Sequence, residues 1–152
     1  MTVAPREDTH RQMISFFVGT ELFGFEIHFV DKVIEVPQFS FVPRAPIFSK
    51  GAVNHRGKVT AIVDLAKFFG LELNEPGPDH RIIIIDSPIY HLGMLVNKVE
   101  RIETVPVSGD LVHTPGEMSK NPYVSKVVNL GGRIFNLLDV AKLLEEMESY
   151  YA

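Results

Sequence analysis

Gly51-Ala52-Val53-Asn54-His55-Arg56-Gly57-Lys58-Val59, running on into Ala61-Ile62-Val63-Asp64-Leu65-Ala66-Lys67-Phe68-Phe69-Gly70, reads as strand, tight turn, strand and short helix. Residues 54–57 make the turn, because Asn and Gly tolerate the positive φ angles that close a hairpin between Ala52-Val53 and the apolar run 59–63. Asp64 is placed to cap residues 65–69, and Gly70 to end that helix in a left-handed conformation. The same plan returns as Val128-Asn129-Leu130-Gly131-Gly132-Arg133-Ile134, then Leu137-Leu138-Asp139-Val140-Ala141-Lys142-Leu143-Leu144. Residues 53–69 and 128–144 align without a gap, with six of seventeen pairs identical; about one is expected by chance. Gly24, Ile27, Val36 and Pro37 likewise match Gly93, Val96, Val105 and Pro106 at an offset of 69, and the six extra residues of the second half fall in the polar loop that starts at Ser108. Two copies are too few for a solenoid. The duplication predicts two small, similar β-barrels packed on each other, neither large enough to stand alone.

Outward from this motif, residues 1–12 carry too few apolar groups to offset the entropy of ordering them and are expected to be a flexible arm. Residues 13–18 and 22–27 are β-prone runs flanking Gly19-Thr20-Glu21, a hairpin. Phe29, Val30, Val33 and Ile34 fall at helical spacing, predicting a short helix or an irregular crossover over residues 28–34 that ends before Pro37. Phe39, Phe41 and Pro43 alternate like a strand, which Pro43-Arg44-Ala45-Pro46 then breaks. Residues 72–79, with Pro76-Gly77-Pro78, form a linker between halves of about 13–70 and 81–145. The second half opens on Arg81-Ile82-Ile83-Ile84-Ile85, a strand buried on both faces. A strand over 90–96, an amphipathic turn over 97–102, a strand over 103–107 and a polar loop over 108–121 follow. Residues 139–152 supply a C-terminal helix and tail. The expected class is all-β with short helices.

Composition narrows the function. The chain has 152 residues, is 45% hydrophobic and 22% charged, and carries a formal charge of -4 with its cations scattered. No basic stripe suited to a phosphate backbone is present, so nucleic acid is not an expected partner. There is no cysteine, which excludes disulfides and thiolate metal sites and fits a reducing compartment. Residues 1–12 lack the apolar segment of a signal peptide, and no apolar run is long enough to cross a bilayer. The expectation is a cytoplasmic protein without direct membrane insertion.

Pro46, Gly51, Val53-Asn54-x-Arg56-Gly57, Ile62-Val63-Asp64-Leu65 and Phe69-Gly70 together resemble the CheW family, whose signature is an Asn-Leu-Arg-Gly turn between a Gly-bearing strand and an apolar strand ending in Asp-Leu. The resemblance covers about residues 13–145 and includes the duplication. It implies two SH3-like five-stranded barrels around a shared core, no catalysis and no cofactor. It further implies an adaptor that links the cytoplasmic hairpin of methyl-accepting chemoreceptors to the regulatory domain of a CheA-type histidine kinase, recruited to membrane-associated receptor arrays. In such a family the receptor sits in an apolar groove between the barrels, and adaptor and kinase pair through barrel faces into rings. A scaffold of the same kind in a non-flagellar pathway, for pilus motility or development, fits equally well. Three positions depart from the pattern: His55 stands where the family usually has Leu, Lys32 where many relatives carry Glu, and Lys126 near a common Gly.

On this resemblance the partner-binding residues are Val30, Lys32, Val33, Lys50, Gly51, Asn54, His55, Arg56, Gly57 and Val59. Arg56 offers a rigid five-donor fork at a hairpin tip, suited to carboxylates or carbonyls of a partner, or to tying the turn to its own barrel. Turn and cap chemistry already accounts for Asn54, Gly57, Asp64 and Gly70. Val30 and Val33 either line the receptor groove or pack in the core. His55 presents an imidazole to a partner or is a solvated turn residue. An enzyme would have to build a metal site from six His and 19 carboxylates. No His pair has the spacing that places ligands on one helical face, and there is neither a phosphate loop nor a nucleophile elbow.

Overall fold

The computed structural model describes residues 9–71, 77–114 and 120–151. The first hairpin is β1 (His10–Val18) and β2 (Glu21–Glu26), followed by β3 (Val30–Glu35). The opening motif forms β4 (Ser49–His55), β5 (Lys58–Asp64) and α1 (Leu65–Phe68). The second half contributes β6 (Arg81–Ile85), β7 (Leu92–Val96), β8 (Lys98–Pro106), β9 (Val112–His113), β10 (Val124–Leu130), β11 (Arg133–Leu138) and α2 (Val140–Ser149). Asp64 and Asp139 each cap their helix, accepting from the backbone N–H of Lys67 (3.4 Å) and Lys142 (3.1 Å).

Two mixed sheets result, one ordered β8-β1-β2-β11-β10-β9 and the other β3-β6-β7-β5-β4. The sequence halves and the sheets do not coincide. β1 and β2 join strands of the second half, while β6 and β7 join strands of the first, so the two copies exchange their leading hairpins. Each sheet holds the same five-strand order, with β2 parallel to β11 and β7 parallel to β5. β9, within the loop that starts at Ser108, is the sixth strand of one sheet.

The apolar residues sort into three layers. Ile83, Ile85, Val63, Met94 and Val96 face Ile14, Phe16, Phe23 and Phe25 in a core shared by both sheets, and α2 adds Val140, Leu143, Leu144 and Met147. Ile62, Ile82, Ile84 and Leu95 form a separate buried cluster on the five-stranded sheet, and Met13, Leu22, Val105, Val128, Phe135 and Leu137 one on the six-stranded sheet. Alternate isoleucines of β6 therefore serve different layers, and the strand is buried on both faces.

Three sequence expectations are corrected. Residues 28–34 are not helical beyond a 3-10 turn at Ile27–Phe29; Val30–Glu35 is a strand paired with β6. A bulge at Asp31 inserts one residue into that pairing, and the insertion breaks the two-residue alternation into a pattern that imitates a helix. Of the anticipated turn over 97–102, residues 98–102 lie inside β8, which carries the corresponding bulge at Glu100 against β1. Around Phe39 to Pro43 only Ser40 bridges Ala52; the prolines lack the N–H donors a strand would need, and Phe41 is left 87% exposed. The bulges themselves obey the duplication: Asp31 matches Glu100, and Lys50 matches Ser125.

β1 starts at His10, paired with Pro106, so part of the expected arm belongs to the sheet. Residues 1–8, and residues 72–76 of the expected linker, lie outside the described residues, as do 115–119 of the polar loop and 152.

The six-stranded sheet carries one partly buried charge node. Arg133 donates to both oxygens of Glu103 at 2.6 and 3.1 Å, and the hydroxyl of buried Ser15 lies 2.7 Å from Oε2. Burial pushes the Glu103 carboxyl up, but hydrogen bonds from Arg133 and Ser15 and the charges of Arg133 and Arg101 outweigh it and hold the group below its ordinary value. A lowered folded-state pKa contributes stability above the unfolded value, and that stability is lost as pH falls through the folded one. Glu103→Gln is expected to cost about 1–2 kcal/mol at neutral pH. The gap to wild type should close in thermal melts below about pH 4, and a gap independent of pH would show that Glu103 charge is not what stabilises the node.

Candidate functional site

The tip of the β4–β5 hairpin is a two-residue turn in which both central residues, Arg56 (φ 53°) and Gly57 (φ 75°), have positive φ. This is the type I′ geometry whose twist matches the strands it joins. His55 and Lys58 form the closing pair, and the Asn54 side chain accepts a hydrogen bond from the Gly57 N–H at 3.0 Å. Asn54 thus braces the turn from within the strand, and the residue that adopts the unusual conformation is Arg56. The second copy repeats the geometry with Gly131 and Gly132, and Asn129 accepts from Gly132 at 2.8 Å.

β3 and β4 are opposite edges of the five-stranded sheet, yet they meet at this end. His55 Nε2 donates to Asp31 Oδ2 at 2.8 Å, and Arg56 Nη1 lies 3.2 Å from Asp31 Oδ1. The bulge in β3 puts the extra residue at Asp31. One carboxylate therefore holds both tip side chains and draws the two edges of the sheet together. The Asp31 and His55 side chains are mostly buried, whereas that of Arg56 is 71% exposed. Only one of its nitrogens is engaged here. Arg56 is tied to its own barrel and still presents most of its fork to solvent. A cleft of about 150 Å³ opens beside the node, lined by Asp31, His55, Arg56, Thr60, Asp86 and His91.

The other residues singled out from sequence do not converge on this point. Val59, directly across from Asn54, is 74% exposed and sets an apolar side chain next to the cationic tip. Lys50 and Gly51 lie at the far end of β4, roughly 20 Å along the strand from Arg56. Gly51 is buried at φ 124°, and an added Cβ would lie 2.6 Å from the Ser40 carbonyl oxygen. On β3, Val30 packs against the shared core, Lys32 is exposed, and Val33 is 36% exposed. The set forms two edge stripes joined at one end by Asp31.

Asp31 was missed in the sequence. Its signal is an acid inside the run Phe29-Val30-Asp31-Lys32-Val33-Ile34, one residue before the position where a carboxylate was expected and Lys32 stands instead. Among the described residues no three His, Asp or Glu side chains gather into a group that could hold a metal ion.

The CheW-like domain, taken as a family, matches residues 12–148. The chain belongs to the CheW-like domain family. Chemotaxis protein CheW of Rhizobium meliloti is 30% identical over 152 residues, covering 97% of each chain. Protein FrzA of Myxococcus xanthus is 26% identical over 145 residues, covering 94% of this chain and 91% of its own. The crystal structure of scaffolding protein TtCheW from Thermoanaerobacter tengcongensis superposes with a TM-score of 0.75 at 24% identity, over 85% of this chain and 88% of that one. The two-sheet, twofold-repeated architecture is thus the CheW fold. Within that CheW-like frame, the two hairpin tips differ in chemistry: His55-Arg56 on one, Leu130-Gly131 on the other.

Proposed function

We propose that this CheW-like chain is a non-enzymatic adaptor that couples chemoreceptor cytoplasmic hairpins to the regulatory domain of a CheA-type histidine kinase. The observation that carries the reading is the tip of the first hairpin. Asp31 holds Arg56 in place while most of the guanidinium faces outward, which is the pre-organised, direction-specific donor that a protein interface uses. Val59 adds apolar area beside it, and Val30, Lys32, Val33 and Lys50 extend the surface along the two edge strands. The adaptor is expected to work in the cytoplasm at membrane-associated arrays through its partners; no helix among the described residues is long and apolar enough to cross a membrane.

A second reading is a CheW-like scaffold in a pilus-motility or developmental chemosensory pathway; the relatives include proteins not named CheW, Protein FrzA among them. Identity to FrzA, at 26%, is close to the 30% with a CheW, so relatedness does not choose between pathways. Purified chain titrated with the kinase regulatory domains and receptor hairpins of the same cell separates the two. Binding to a kinase and receptor of one pathway and not the other selects it, and binding to neither ends the adaptor reading.

A further inference from the structure

The two hairpin tips close their barrels differently, and one of them does so with a group whose charge can change. In the first copy His55 Nε2 donates to Asp31 Oδ2 at 2.8 Å, while Arg56 Nη1 lies 3.2 Å from Oδ1. The second copy keeps an acid at the matching bulge, Glu100, which pairs with Arg101 on its own strand at 3.5 Å. Leu130 and Gly131 stand at that tip, and neither is ionisable. Leu130 packs against the buried cluster of its sheet. Closing this end of a barrel therefore does not need an imidazole.

An imidazole is the side chain that changes charge between about pH 5 and 8. While His55 is neutral its donating nitrogen is Nε2, and its bare nitrogen, Nδ1, has no hydrogen-bond partner among the described residues. Nor is Nδ1 buried, since the Tyr151 hydroxyl is the one buried polar side-chain atom left without a partner among those residues. Water can thus deliver a proton to Nδ1 without breaking the bond to Asp31. In the neutral state the whole charge of the carboxylate is available to Arg56. In the protonated state the shorter, mostly buried pair from His55 to Asp31 becomes the charge-assisted one. The Asp31 charge is then compensated before Arg56 is counted, and imidazolium and guanidinium repel each other across one carboxylate. Arg56, 71% exposed and at the longer distance, is the member that lets go. Lys58 from β5, with Asp86 and His91 from the connection between β6 and β7, lines the same cleft. All three are exposed, and their charged groups bond to none of Asp31, His55 and Arg56, so the contest for Asp31 is settled between His55 and Arg56.

We infer that His55 is a proton-operated catch on Arg56. Neutral, it leaves the guanidinium held by Asp31 in the orientation a partner meets; protonated, it takes Asp31 for itself and frees Arg56. Protonation does reversibly to the tip what Asp31→Asn does permanently. This rests on the adaptor reading and gives its Arg56 contact a pH dependence, with weaker binding on the acid side. By linkage, a partner that docks on the held fork expels the proton.

The test is titration calorimetry of the full chain, at about pH 6 and about pH 8, against the kinase regulatory domain and a purified receptor cytoplasmic fragment. Wild type should lose roughly three- to tenfold in affinity at the acid value for the partner that Arg56 touches. His55→Leu, which puts the second copy's residue into the first, should lose less than about twofold between the same two values, whatever its affinity at the higher one. His91→Gln should keep the wild-type dependence. Equal dependence in wild type and His55→Leu overturns the inference and leaves the adaptor reading intact, because the proton then acts elsewhere. So does a dependence abolished by His91→Gln, or a wild-type affinity that rises at acid pH. A chain that binds neither partner at either pH ends the adaptor reading, and the catch is then decided on the free protein by NMR. An Arg56 Nε–H resonance that follows the titration of the His55 imidazole supports the catch, and one that ignores it overturns the catch whether or not a partner binds.

Discussion

Gly24→Ala should cost roughly 3 kcal/mol of folding stability. A Cβ at Gly24 would fall on the ring of Phe135 and 2.7 Å from the Ile14 carbonyl oxygen. Ile14 and Gly24 lie on the paired strands β1 and β2, and Gly24 also pairs with Leu137 across the parallel junction to β11. The backbone is therefore held from both sides, and Phe135 has no exposed surface toward which to retreat. Gly93 occupies the same place in the other copy, opposite Ile62, but the atoms it meets are side-chain methyls of Ile62, Ile82 and Ile84 at 2.9 to 3.0 Å. These can shift by small rotations, so Gly93→Ala should cost about half as much, roughly 1–2 kcal/mol. Urea melts of the two variants give the ordering directly. A Gly24→Ala protein within half a kcal/mol of wild type, or one more stable than Gly93→Ala, would show that the parallel junction yields more easily than its packing implies. Phe135→Leu in the Gly24→Ala background should give a combined loss smaller than the sum of the two single losses, because both act on one contact.

The pairing of Gly24 with Gly93 was visible in the sequence, and so were the duplicated hairpin, the two helix caps and the doubly buried Ile82 to Ile85. Each rests on interactions within a few residues, where turn chemistry and apolar pattern decide. The exchange of hairpins between copies was not legible. β2 next to β11 and β2 next to β5 would both put a Gly opposite an aliphatic residue, Leu137 or Ile62, and both satisfy the same alternation. The choice is made by packing between distant segments, above all Phe135 filling the space above Gly24. The strands β3 and the first half of β8 were hidden for a different reason. Their bulges at Asp31 and Glu100 shift the alternation by one residue midway, and the first bulge turned a strand pattern into an apparent helix. The same bulge explains why Asp31 was overlooked at the candidate site, since its role depends on an orientation that no spacing rule conveys. Arg56 was recognised, but as a choice between tie and contact. With one nitrogen on Asp31 and most of the side chain in solvent, the two roles coexist.

That double role decides which substitution tests Arg56. Arg56→Ala confounds two effects, because alanine at φ 53° is strained by about 1 kcal/mol whatever the guanidinium does. Arg56→Asn avoids this: Asn-Gly is the dipeptide most suited to a type I′ turn, so the hairpin keeps its shape and loses only the cation. The lost ion pair to Asp31 involves a largely exposed partner and contributes little, and His55 still holds Asp31 at 2.8 Å. The melting temperature should therefore stay within about 3 °C of wild type, less than 1 kcal/mol for a chain of this size. Binding to the kinase domain or receptor hairpin should fall roughly thirtyfold, about 2 kcal/mol, as for a central interface arginine. Arg56→Lys should recover only part of that loss, since an ammonium keeps the charge without the planar fork. Asp31→Asn supplies the complementary arm. It leaves Arg56 charged but unheld, so it should weaken binding less than Arg56→Asn, and the two together should lose less than the sum of their separate effects. If Arg56→Asn binds both partners as wild type does, the exposed part of the fork faces only water, and the tip serves the barrel alone.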